Sequence, residues 1–281
     1  MQKLLDVFRL MRLANCLLAM VGVAIGARMA WLTPAYYGPF VAALAAFFVC
    51  AGGNVVNDIV DVDVDRVNHP DRVLVRGRLS VSFALWMSVV LNVLALICAI
   101  AVNWVVTFAV AGGIGLLVVY NLRLKKIMLV GNLVVALLAG LTFMTGGWAA
   151  DAVLTMALPG PLIPAVYALC FHLVREILKD VQDIEGDRRA GYTSLPIRIG
   201  TSPSLMIALL VFAVLLVLTL IPVWMRWFGR TYEIIAVYVT GLPLLALLIF
   251  VWGSPRPSML RVGSAALKVG MVLGLVALAA A

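Results

Sequence analysis

Long apolar runs separated by short polar breaks make up most of this chain. Nine runs predict helices of membrane-spanning length: 13–31, 39–60, 81–102, 104–121, 128–148, 162–182, 204–223, 232–252 and 264–281. Each approaches the roughly 20 residues that a helix needs to cross the hydrocarbon of a bilayer. Between them lie turn signals: Thr33-Pro34, Asn68-His69-Pro70, Pro159-Gly160-Pro161 and Ser254-Pro255. The stretch 81–121 is broken only at Asn103-Trp104. Spans three and four are therefore expected as a tight hairpin, and leaving them unbroken gives the competing count of eight. Residues 2–12 read as a short amphipathic helix on the membrane surface. The start also resembles a signal peptide, with Ala27 and Ala30 as a weak cleavage pattern; a retained first span is the preferred expectation.

Composition turns this pattern into a class. Of 281 residues, 64% are hydrophobic and 12% charged, against about 25% charged in soluble domains. The expectation is an all-α, polytopic membrane protein forming a single transmembrane domain, 1–281. Placing the N-terminus in the cytoplasm puts 17 of the 21 Lys and Arg on the cytoplasmic side, as the positive-inside rule requires. Trp31, Tyr36, Tyr37, Trp104, Trp148, Trp224 and Trp227 then gather near the outer ends as an aromatic belt. The net charge of +8 fits this topology and attraction to anionic membrane lipid; no nucleic-acid motif is present. Cys16, Cys50, Cys98 and Cys170 are scattered singly, which points to packed thiols and away from a zinc site or disulfides.

Charge is scarce, yet ten of the 13 acids fall in two stretches. Asn54, Asp58, Asp61 and Asp65 step by four, three and four residues, and so do Glu176, Asp180, Asp183 and Asp187. At about 100° per residue each set falls within roughly 60° of one helix face. Asp63 and Glu185 take matching off-face positions, and Arg66 and Arg188 follow. Like charges on one face repel, and partly desolvated carboxylates require pairing or metal. The alternative is a set of acids merely solvated at the ends of spans. Oxygen ligands suit Mg²⁺, ahead of Ca²⁺ or Mn²⁺, and two arrays of this kind point to divalent metal holding a polyphosphate. Arg72, Arg76, Arg78, Arg123, Lys125, Lys126, Lys179, Arg188 and Arg189 flank the acids as candidate phosphate donors, with Lys125 and Arg72 foremost. His172, one turn before Glu176, reads as a satisfied helix histidine rather than a ligand.

The stretch Asn57-Asp58-x-x-Asp61-x-x-x-Asp65 resembles the first aspartate-rich motif of the UbiA superfamily of intramembrane prenyltransferases. Asp183-x-x-x-Asp187, preceded by Lys179-Asp180, resembles the second. Further similar pieces are Arg12 with Asn15, Asn68-His-Pro-Asp71-Arg72, Tyr120 to Lys125, Gly131-Asn132, and Gly186-Asp187 running on to Ser194-Leu195-Pro196. Arg175 through Gly200 is most similar to the members that attach a second geranylgeranyl chain to geranylgeranylglyceryl phosphate on the way to ether lipids. Val73, Val75 and Gln182 depart from the common pattern.

This resemblance implies nine helices around a central cavity, with the aspartate motifs facing each other at its cytoplasmic mouth. The spacing of the two motifs adds an expected division into two four-helix halves plus one helix. It implies Mg²⁺ held by Asp58, Asp61, Asp65, Asp183 and Asp187, supported by Asn57 and Asp180. It implies substrate contacts from Arg12, Asn15, Arg72, Tyr120, Lys125 and Lys179. The partners would be a prenyl diphosphate donor and a lipid-phosphate acceptor. An aromatic acceptor (hydroxybenzoate, naphthoate or homogentisate type) would use the same donor site. A cation transporter is a more remote alternative, since buried acids also serve ion transport.

Overall fold

A computed structural model describes residues 2–30, 36–189 and 191–281. The predicted turn at Thr33-Pro34 and the belt residue Trp31 lie outside the described residues. The described chain is helical. In order come α1 (Gln2–Met11), α2 (Leu13–Met29), α3 (Tyr37–Val60), α4 (Val62–Asn68), α5 (Val81–Ile100), α6 (Trp104–Leu122) and α7 (Val130–Ala150). There follow α8 (Leu162–Gln182), α9 (Ile184–Arg189), α10 (Leu195–Ile199), α11 (Thr201–Trp224), α12 (Arg230–Glu233), a π-helical stretch (Ile234–Gly241), α13 (Leu242–Gly253) and α14 (Pro257–Ala279).

Seven helical segments among the described residues are long and apolar enough to cross a membrane, and an eighth counts if the bent pair α1 and α2 forms one span. The chain is thus a multi-pass membrane protein. The predicted segment 162–182 is helical, but Arg175, Glu176, Lys179 and Asp180 give its second half more charge than an apolar span carries. The last helix starts earlier than predicted. Pro257 occupies its first turn, where a missing N–H costs nothing, and Lys268 therefore lies in mid-helix.

The chain divides into two compact units. The first comprises residues 1–125 and 141–161. Its apolar interior lies between α2, α3, α5 and α6, where Val23, Ala42, Ala45, Ala95, Ala99 and Val106 are fully buried. Small residues let the backbones meet. A Cβ on Gly26 would lie 2.0 Å from the Phe143 carbonyl oxygen, and one on Gly146 would lie 1.9 Å from that of Val23. Only glycine fits at such a helix crossing. The expected hairpin of α5 and α6 turns at Asn103. Its side chain accepts from Val106 N at 2.9 Å, capping α6, and donates to the Trp148 carbonyl at 2.9 Å.

The second unit comprises residues 126–140 and 162–281. α8, α11, α13 and α14 bury Val174, Ile177, Leu178, Phe212, Val251 and Leu267. Pro222 stands inside α11 and offers no N–H to the carbonyl of Leu218, four residues earlier. The hydroxyl of Tyr167 donates to that carbonyl at 2.9 Å. The fully buried Tyr232 donates to the next carbonyl, Thr219, at 3.2 Å. A proline defect is thereby repaired by a phenol from another helix. Gln182, at the end of α8, donates to the Leu260 carbonyl at 2.7 Å and ties α8 to α14.

Tyr167→Phe is expected to destabilise the protein by about 1–2 kcal/mol, because a buried carbonyl loses its donor. Adding Pro222→Ala restores an N–H to Leu218 and should recover part of that loss. Thermal unfolding of both variants in detergent checks the pair; an equal or larger loss in the double variant contradicts the account.

Candidate active site

Both acidic combs are built on helices that break at the same tooth. α3 ends at Val60, Asp61 takes φ −92° and ψ 6°, and α4 begins at Val62. Hydrogen bonds from Asp61 N to Asn57 O (2.9 Å) and from Asp65 N to Asp61 O (2.7 Å) carry the turn across the break. In the second comb α8 ends at Gln182 and α9 begins at Ile184, with Asp183 N on Lys179 O and Asp187 N on Asp183 O, both at 3.0 Å. Each expected helix face is thus carried by a long helix and a short one, joined at Asp61 or Asp183. Aspartate is a weak helix former, and crowded acids repel, which is why the helix yields there.

In the first unit the acids find cations of the chain itself. Asp58 is 5% exposed and Asp65 4%. Arg12 Nη2 donates to Asp58 Oδ1 at 2.5 Å, and Arg72 Nη1 reaches the same oxygen at 3.0 Å. Arg72 also pairs with Asp65 Oδ2, and Lys125 with Asp61 Oδ1. Two guanidinium groups and an ammonium of the chain thus face these three carboxylates. Among the described residues no three acids, histidines or thiols converge closely enough to hold an ion; Arg72 bridges Asp58 and Asp65 instead. The Asp65 carboxyl is raised to about 6, chiefly by burial, with the charges of Asp61 and Asp58 adding to the rise and Arg72 opposing it.

Arg12 reaches Asp58 from an unusual backbone. It sits at the 50° bend between α1 and α2 in the left-handed region, φ 54° and ψ 58°, which costs a non-glycine residue about 1–2 kcal/mol. Neighbouring bonds hold the bend: Met11 O accepts from Asn54 Nδ2 at 2.9 Å and from Cys16 Sγ at 3.2 Å. Asn54, read as the first tooth of the comb, thus serves the hinge. Asn15 is exposed, with its N–H on Arg12 O at 2.8 Å. Tyr120 is half-buried near the end of α6, Asn57 is half-buried on α3, and the off-face Asp63 is exposed beside Arg66.

In the second unit, Asn132 Nδ2 donates to Asp180 Oδ2 at 2.8 Å. Glu176 is buried, with Arg175 at 2.7 Å and Lys179 at 3.9 Å. Asp183 and Asp187 are half-buried, and Glu185 pairs with Arg189 on the exposed side. His172 has a buried Nδ1 without a partner among the described residues, so it departs from the satisfied helix histidine expected. Asn132 stood out in the sequence only as part of a motif; its bond to Asp180 spans 48 residues and leaves no local signal.

Asp6 was missed. It is 2% exposed and pairs with Arg78 at 3.2 Å and Arg9 at 3.4 Å. The signal was inverted amphipathicity. Leu4, Leu5 and Phe8 are exposed, whereas Asp6, Leu10 and Met11 face inward.

The sequence matches the UbiA prenyltransferase family over residues 15–280. The chain belongs to that family. Among similar UbiA relatives, the digeranylgeranylglyceryl phosphate synthase of Methanopyrus kandleri is 35% identical over 270 residues, covering 95% of this chain and 96% of that protein. The synthase of the same name from Methanothermobacter thermautotrophicus is 32% identical over 273 residues, 96% of this chain and 94% of the other. A solved structure described as digeranylgeranylglyceryl phosphate synthase in membranes has a TM-score of 0.77 at 29% identity, with 99% of this chain and 98% of that one covered. A UbiA homolog from Archaeoglobus fulgidus, solved with DMAPP and Mg²⁺, shares the fold at a TM-score of 0.65 and 19% identity, with 98% and 100% covered.

Arg72→Gln should destabilise the protein by about 3 kcal/mol, since it leaves two buried carboxylates without their shared cation. Arg72→Lys should recover only part, because an ammonium lacks the fork that spans two acids. Arg76→Gln, at the exposed pair with Asp71, should change stability by under about 1 kcal/mol. Unfolding in detergent micelles without divalent metal checks the ranking.

Proposed function

We propose that this chain is a Mg²⁺-dependent intramembrane prenyltransferase. It moves a geranylgeranyl group from geranylgeranyl diphosphate to the free hydroxyl of geranylgeranylglyceryl phosphate, a step of ether-lipid synthesis. The observation that carries this is the first comb, where three acids of one motif interleave with Arg12, Arg72 and Lys125. Such mixed charge suits a metal-bound diphosphate better than it suits a bare cation. The name shared by relatives along nearly the whole chain supplies the acceptor.

The donor set fits a hard divalent ion. Every comb ligand offers oxygen, and both arginines bind the same oxygen of Asp58, which leaves Oδ2 outside those ion pairs. Asp58, Asp61 and Asp65 in one unit, and Asp183 and Asp187 in the other, would hold Mg²⁺, with Asn57 and Asp180 in support. Bound metal neutralises charge on the departing diphosphate.

The chain's own groups do the rest. Arg12, Arg72 and Lys125 present N–H donors to phosphate oxygens. Asn15, Tyr120 and Lys179 complete the substrate contacts. The apolar spans receive the prenyl tail and keep water from the allylic carbon as its bond to diphosphate oxygen breaks and the acceptor oxygen bonds to it. The acceptor's proton passes to an aspartate or to diphosphate. A single domain, 1–281, would cross the membrane nine times as two four-helix halves plus a last helix, with its N-terminus and acidic combs cytoplasmic.

Purified protein given geranylgeranyl diphosphate, Mg²⁺ and a panel of glycerol-phosphate and aromatic acceptors should release diphosphate and yield the doubly prenylated glycerol phosphate by mass spectrometry. Asp61→Ala and Asp183→Ala should fold yet lose about 10²–10³ in turnover. Near-normal turnover in either variant would falsify metal-held diphosphate as the mechanism. Products formed on the aromatic acceptors alone would replace the acceptor.

A further inference from the structure

Asp6 lies outside both combs and outside every motif of the family resemblance. It is buried on the inward face of α1, and its partner Arg78 is 72 residues away, near the far end of the loop between α4 and α5 that also carries Arg72. The two segments joined by this pair are those that deliver the two arginines to Asp58. α1 leads directly into Arg12, and the loop carries Arg72. They also share apolar contacts, for Leu10 and Met11 of α1 and Leu74 of the loop belong to one buried cluster with Val55 and Ala51 of α3. The pair thus closes a frame around Asp58, with Arg12 and Arg72 as its inner corners. Arg9, the other partner of Asp6, is largely exposed and does not tie α1 to another segment.

We propose that Asp6 is a positioning residue: through Arg78 it holds α1 against the 72–78 loop so that Arg12 and Arg72 converge on Asp58, where they meet the diphosphate. This inference rests on the diphosphate-binding function proposed above. An acid on the buried face of an amphipathic helix gains nothing from lipid, and its interaction with Arg78 accounts for its inward placement. Without the charge, α1 keeps its apolar contacts, but the loop end is released and the guanidinium groups lose their shared register.

The test uses the full-length protein in detergent with Asp6→Asn, Arg78→Gln and both together. Phenylglyoxal labelling, read by peptide mass spectrometry, reports how accessible Arg12 and Arg72 are, independently of turnover. Each single variant should raise labelling at both arginines several-fold, and the double variant should raise it no further. With geranylgeranyl diphosphate and Mg²⁺, KM should rise about 10-fold with kcat within about twofold, and the double variant should match the singles. Labelling unchanged in the folded variants overturns the proposal, as does an unchanged KM in active enzyme. Additive effects in the double variant overturn it too, whatever the melting temperature does. Should Asp6→Asn fail to fold, Arg78→Gln carries the same two readouts. A wild type that transfers no prenyl group, with labelling still shifted as expected, would leave the positioning role standing and remove the diphosphate reading.

Discussion

One carboxylate oxygen organises the first unit. Asp58 Oδ1 takes a guanidinium from Arg12 on one side and from Arg72 on the other. A buried acid without partners is strongly unfavourable, so the chain must bring cations to it, and the segments that do so shape their surroundings. The bend between α1 and α2, the left-handed backbone at Arg12 and the inward path of the loop after Asp71 all lead to this atom. Arg72 extends the grip to Asp65, beyond the break at Asp61, so a long helix and a short one answer to one side chain.

This arrangement leaves the first comb balanced before any substrate arrives. Three carboxylates face three cationic groups, and burial still keeps Asp65 less acidic than usual. In water such pairs would contribute little. Here Asp58 and Asp65 are buried and their arginine partners half-buried, and removal of either side strands a charge. Under the proposed function, phosphate oxygens would compete with these carboxylates for the same N–H donors. The second unit solves its charge problem differently, with neutral Asn132 on Asp180 and a local pair of Arg175 and Glu176.

The helices were largely legible in the sequence because hydrocarbon imposes length and polarity together. The predicted 81–102 became Val81–Ile100, and the predicted 104–121 became Trp104–Leu122. The step of four, three and four was visible because spacing along a helix is a local property. What escaped was everything that depends on a distant partner. Asn54 fits the comb by spacing, yet it serves a carbonyl on another helix. Asp6 looked like one more polar residue of a surface helix until Arg78, far along the chain, gave it a reason to turn inward. Breaks at Asp61 and Asp183 carry no glycine or proline to announce them. They arise from repulsion among the very acids that made the combs visible.

Those breaks make each comb a jointed tool rather than a rigid rake. The early acid rides on a long helix anchored in the apolar interior, while the late one rides on a stub of six or seven residues. The backbone of the intervening aspartate therefore sets the distance between them, while the long helix keeps its place in the apolar interior.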